Sequence, residues 1–100
     1  MKPLLTAVLL AAIAMPASAQ DALLGRNLAA SCANCHGTNG HAIGEMKPLA
    51  GVSAGRIFAM LTDFKSGAQP GTIMPQIAKG YSDEQIKALA AHFAAQQSRR

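Results

Sequence analysis

The chain has no tryptophan, one tyrosine and three phenylalanines in 100 residues. So few large side chains leave a small domain with a marginal core, and something else must supply apolar bulk. Cysteine is equally scarce. Cys32 and Cys35 are the only two, which excludes a disulfide-dense scaffold and a zinc site built mainly from thiolates. Acidic residues number five against nine lysines and arginines, a formal charge of +4. The cations are scattered, with no run of five like charges and no aromatic residues interleaved among them. That pattern gives little support to nucleic-acid binding. There is no alternating stretch long enough for a strand, no internal repeat and no apolar run of the roughly 20 residues that a spanning helix needs.

What the first residues do contain is an export signature. Lys2 is a positive start, Leu4 to Ala14 is an apolar run of h-region length, and Ala17-Ser18-Ala19 is an A-x-A cleavage site. Residues 1–19 therefore read as a signal peptide and residues 20–100 as one domain. Much of the 50% hydrophobic composition leaves with the leader, so the core of the remaining chain is poorer than the total suggests. The leader assigns the protein to the periplasm.

The decisive motif is Cys32-Ala33-Asn34-Cys35-His36. Two thiols three positions apart at a helix end can form thioethers with both vinyl groups of one porphyrin, and the next imidazole then reaches the iron. A redox dithiol has no need of His36, and a zinc site needs further ligands at suitable spacing. Cys32 and Cys35 are thus expected to bind one haem c covalently, with His36 as an axial ligand. A second C-x-x-C-H is not present in the sequence. Gly37 follows and lets the backbone pass close to the ring edge. The haem would also supply the missing apolar bulk.

Periodicity predicts helices. Leu24, Leu28 and Ser31/Cys32 share one face of a first helix from about Asp21, its cap, to Asn34. A glycine-rich loop, 36–51, would wrap the proximal side of the haem. Ile57, Met60, Leu61 and Phe64 form the stripe of a second helix, from Ser53 to a Gly67 stop. Ser82-Asp83-Glu84-Gln85 is a capping box for a last helix carrying Ile86, Leu89, Ala90 and Phe93, with Arg99 and Arg100 at its end.

For the sixth iron ligand the candidates are Met46, Met60, Met74, His41 and His92. Met60 lies on a core stripe, and Met46 and His41 follow His36 too closely to cross to the opposite face. His92 reads as solvent-facing. Met74, after the Pro70-Gly71 turn and held extended by Pro75, is the expected ligand. A thioether raises the potential, and a closed coordination shell leaves one-electron transfer as the chemistry. Were Met74 not a ligand, a five-coordinate haem could bind gas or peroxide.

Cys32-x-x-Cys35-His36-Gly37, Pro48-Leu49-Ala50-Gly51, Asp63-Phe64-Lys65-Ser66-Gly67, Met74 and Ser82-Asp83-Glu84-Gln85-Ile86 together resemble the class I c-type cytochromes over the whole mature chain. The segments Thr72-Ile73-Met74 and Ile77 to Asp83 are most similar to the haem subunit of flavocytochrome c sulfide dehydrogenases and to small periplasmic cytochromes. The resemblance implies an all-α fold around one haem, with the first and last helices crossing where Gly25 and Leu28 meet Phe93. It implies that the carbonyl of Pro48 accepts a hydrogen bond from His36 Nδ1. It implies an electron carrier, not a catalyst. The partner would be a redox protein, either a sulfide-oxidising flavoprotein or a terminal oxidase or reductase served by a free shuttle. The carrier would dock through small and apolar residues near Ala33, Ile73 and Pro75, rimmed by Lys47, Lys65 and Lys79. One departure stands out: related chains often carry Arg where this one has Gln69, which leaves a haem propionate without that cation.

Overall fold

Five α-helices and two short 3-10 turns make up the described residues. The computed structural model describes residues 17–98, with side chains from Asp21 onward. The apolar run Leu4 to Ala14 and the pair Arg99 and Arg100 lie outside the described residues. No strand occurs among those described.

Helix α1 spans Ala17–Ala29, so the A-x-A triplet is its first turn and Asp21 lies inside it, not at its cap. The upstream residues Ala17 and Ala19 explain the extension, because alanine has the best intrinsic helix propensity. The helix does not continue smoothly to Asn34. It tightens into a 3-10 turn at Ala30–Cys32 and resumes as α2, Ala33–His36. A second 3-10 turn at Thr38–Gly40 opens the loop that follows. That loop closes on itself, since Leu49 and Ala50 N–H both donate to the Gly40 carbonyl at 2.9 and 3.2 Å.

Helix α3, Ala54–Ser66, starts where the Arg56 N–H donates to Ser53 Oγ at 3.3 Å. It stops at Gly67, whose φ of 89° is left-handed. Helix α4 is a short piece, Met74–Ala78. Met74 is its first residue, so Pro75 does not hold it extended. The first turn of a helix lacks intrahelical N–H bonds, and proline is tolerated there. Helix α5, Asp83–Ala94, carries the full capping box. Ser82 N–H donates to Gln85 Oε1 at 2.8 Å, and Gln85 N–H donates to Ser82 Oγ at 3.2 Å. Because α5 ends at Ala94, its last turn holds His92 and not the two terminal arginines.

The core is the inner face of α5 pressed on α1 and α3. Ala29, Ile57, Leu89, Ala90 and Phe93 form one buried cluster, flanked by Leu28, Leu49, Phe58 and Leu61. Ile86 and Leu89 are fully buried, each contributing about 1.5–3 kcal/mol by leaving water. The α1–α5 crossing depends on Gly25. A Cβ there would sit 2.5 Å from the Ala88 carbonyl oxygen and 3.1 Å from His92 Cβ. The nearest neighbours of Gly25 are thus Ala88 and His92, while Leu28 packs on the cluster that holds Phe93. His92 and Phe93 are consecutive, and only the packed crossing decides which of them lies nearest Gly25.

Candidate functional site

Cys32 ends the 3-10 turn and Cys35 lies in α2; both are free thiols. Burial pushes the Cys32 thiol up from its ordinary value, with the neighbouring Cys35 adding to the effect and a hydrogen bond from Ser31 opposing it. Among the described residues no three His, Cys, Asp or Glu side chains converge on one point. Cys32, Cys35 and His36 fall within five residues across the end of a 3-10 turn and a short helix, the donor set and spacing that a covalently attached porphyrin requires.

His36 is the last residue of α2. Its Nδ1 lies 2.9 Å from the carbonyl oxygen of Lys47. A carbonyl only accepts, so Nδ1–H is the donor and Nε2 keeps its lone pair for a metal. The acceptor predicted from the family pattern was Pro48, and the structure moves it one residue upstream. The cause is local. A proline biases the preceding residue toward extended backbone, so Pro48 acts by aiming the carbonyl of Lys47. Gly37 also has a reason beyond ring clearance. Its φ is 79°, and a Cβ there would run into the His41 carbonyl.

Two cavities flank this loop. One, of about 380 Å³, is lined by Ala33, Asn34, Cys35, Gly37, Ile43 and Met46. The other, of about 250 Å³, is lined by Lys47, Arg56, Met60, Asp63, Phe64 and Gln69. Met46 and Lys47 are consecutive, so the loop contributes a side chain to each cavity. The apolar stripe of α3 is thereby divided. Ile57 and Leu61 join the core, whereas Met60 and Phe64 turn to the second cavity. Met60 is thus not simply a core residue. Met74, half-buried, opens α4, which packs against α3.

The remaining histidines are committed elsewhere. His41 places Nδ1 3.2 Å from the Thr38 carbonyl and Nε2 2.7 Å from the Gln97 carbonyl, tying the loop to the C-terminal segment. His92 is half-buried, not solvent-facing. Its ring stacks edge-on against Phe93 at 5.3 Å, and its Nε2 is buried with no hydrogen-bond partner among the described residues. Burial, with a smaller contribution from Arg26, holds its pKa below the ordinary value. Glycine at position 25 is what lets α1 cover it.

The proposed docking rim needs one revision. Lys65 Nζ donates to the Tyr81 carbonyl at 2.6 Å and lies 3.7 Å from Asp83 Oδ1. It holds α3 to the turn before α5, so it is a tie within the protein and not a free surface charge. Lys79 is exposed, as is Ile73 at 61% and Ile43 at 86%. No helix among the described residues is long and apolar enough to cross a membrane.

Sequence and structure comparisons bear on the family and the fold. Residues 19–93 match the family described as cytochrome C oxidase, cbb3-type, subunit III. The cytochrome subunit of sulfide dehydrogenase from Chlorobaculum tepidum is 41% identical over 69 residues, covering 69% of this chain and 63% of that protein. Cytochrome c-553 of Helicobacter pylori is 47% identical over 68 residues, covering 66% of this chain and 71% of that one. The chain therefore spans less than two thirds of the sulfide dehydrogenase subunit. Among solved structures, cytochrome c4 of Acidithiobacillus ferrooxidans superimposes with a TM-score of 0.66 at 30% identity, over 85% of this chain and 52% of that one.

Proposed function

The chain belongs to the class I c-type cytochromes, and from that premise we propose that it is a periplasmic one-electron carrier holding one covalent haem c. The observation that carries this reading is the arrangement at His36. Two free thiols stand beside an imidazole whose Nδ1–H is fixed by the Lys47 carbonyl, leaving Nε2 as the ligating atom. Haem bound there would supply an iron(III)/iron(II) couple. The protein's own part is to hold it. Cys32 and Cys35 form the thioethers, Lys47 fixes the ring of His36 and raises its basicity, and Phe64 and Met60 offer an apolar wall.

Met74 is the proposed sixth ligand. Its support is its place at the mouth of α4 against α3 and its match to the family pattern. Met60 is the rival sulfur, because it lines the cavity beside Lys47. The likeness to a sulfide dehydrogenase cytochrome subunit supports a flavoprotein of that system as electron donor. Residues 1–19 are assigned to export.

Acid-acetone extraction of the purified protein tests the attachment. The colour stays with the polypeptide if the thioethers exist, and its transfer to the solvent overturns the assignment. The ligand is tested by Met74→Ala, which should lower the potential and open the iron to carbon monoxide. If Met60→Ala has that effect and Met74→Ala does not, the ligand is Met60.

A further inference from the structure

A haem brings two carboxylates along with its iron. Where they leave bulk water they need cations or hydrogen-bond donors, since an uncompensated buried charge is costly. Gln69 is neutral, so the cation must come from elsewhere. The cavity that Gln69 lines also carries Lys47 and Arg56.

Arg56 is well suited to the task. It stands one turn before Met60 and about two turns before Asp63, so these three share a side of α3 next to the one that carries Ile57, with Phe64 at the border between the two. That side faces the cavity, and Arg56 is its only cation. The ion pair formed among the described residues is Lys65–Asp83, and Arg56 takes part in no side-chain hydrogen bond or ion pair there. Seven residues of helix separate Arg56 from Asp63, about 10 Å along the axis, so the carboxylate does not lie directly beside the guanidinium. Lys47 adds a second positive charge. Its carbonyl holds His36, so its side chain starts from the edge of the iron site. The cysteine side of the loop opens into the other cavity.

We propose that Arg56, assisted by Lys47, is the cationic clamp for the haem carboxylates, replacing the cation absent at Gln69. This rests on the haem-binding reading above. A guanidinium matches a carboxylate through two parallel N–H···O bonds, which a lysine cannot do. A cation at this place also favours the reduced iron, whose net charge is lower by one. Arg56 therefore acts as a positioning and tuning residue.

The test is the midpoint potential of holoprotein carrying Arg56→Gln, Arg56→Lys or Lys87→Gln. Lys87 is an exposed cation on α5 and controls for net charge. Covalent haem content is measured first for parent and variants by alkaline pyridine absorption. A parent without covalent haem overturns the underlying reading and not the clamp. With haem in place, Arg56→Gln should lower the reduced-to-oxidised ratio at fixed ambient potential by roughly fivefold, as expected for a unit charge at moderate effective dielectric. Lys87→Gln should change it much less, and Arg56→Lys should restore most of the parent value. The clamp is refuted if Arg56→Gln and Lys87→Gln shift the ratio equally. It is also refuted if Arg56→Lys falls as far as Arg56→Gln, because charge is then not what Arg56 provides. If Arg56→Gln accumulates no holoprotein, Lys47→Gln takes its place. It removes the second cation without altering α3 and should shift the ratio in the same direction; no shift refutes the clamp.

Discussion

Replacing Gly25 by alanine pits two effects of opposite sign. In an isolated helix the change stabilises by about 1 kcal/mol, because alanine has the better propensity and the unfolded chain loses freedom. In this protein the added Cβ would lie 2.5 Å from the Ala88 carbonyl oxygen. Ordinary contact begins near 3.4 Å, so α1 must retreat by most of an ångström. The obstacle is backbone in the middle of α5, which cannot rotate away as a side chain would. Overpacking of this kind costs about 1–3 kcal/mol, and a gap of that size removes a quarter to a half of the dispersion at each separated contact. The strain should win, for a net loss of about 1 kcal/mol, or roughly 4–8 °C in Tm for a domain of this size. Gly25→Val should lose more. Gly55→Ala is the counterpart. It lies in α3 with nothing within 4 Å of its Cβ position, and it should gain about 0.5 kcal/mol. Thermal unfolding followed by far-ultraviolet circular dichroism measures both. If Gly25→Ala matches or exceeds the parent while Gly55→Ala behaves as expected, the close α1–α5 crossing is not a feature of the folded protein.

Ser82→Ala removes the oxygen that accepts from Gln85 N–H and should cost about 1 kcal/mol in urea unfolding; Ser98→Ala, at an exposed position beyond α5, should cost nothing measurable. His92 sets a pH dependence. Its folded pKa is depressed, by burial first and Arg26 second, so between that value and the ordinary one near 6.5 the unfolded chain binds more protons. Its contribution is fully present above 6.5 and is lost as pH falls toward the folded value. Urea midpoints at pH 7.5 and 5 should therefore converge in His92→Gln relative to the parent, and an unchanged difference would assign the pH dependence to other groups.

Much of the proposed site is legible in the sequence because covalent attachment chemistry demands a short contiguous motif. Cys32, Cys35 and His36 can be recognised without knowing how the chain folds. The capping box at Ser82 and the glycine stop at Gly67 were legible for the same reason, since each acts on its immediate neighbours. The inner face of α5 followed from period alone. The errors fell where a neighbour in space outweighs one in sequence. The hydrogen bond to His36 was displaced by one residue, because Pro48 exerts its effect on the carbonyl before it. His92 reads as exposed on its own helix, yet α1 covers it. Lys65 reads as a surface charge until the turn at Tyr81 is brought against it.

The amino-acid sequence by itself determined the haem-attachment motif, the helical class, the helix ends set by local capping and the membership of a family. Each of these is written in residues close enough along the chain to act without the rest of the fold. Only the tertiary structure decided which carbonyl holds the imidazole, how the stripe of α3 divides between core and cavity, and that Arg56, Lys47 and Gln69 line one space. Those three come from two separate segments of the chain, a loop before α3 and the stretch from α3 to the loop beyond it. Helical period places Arg56 on a face, but it cannot say what that face looks onto until α5 has taken the other one.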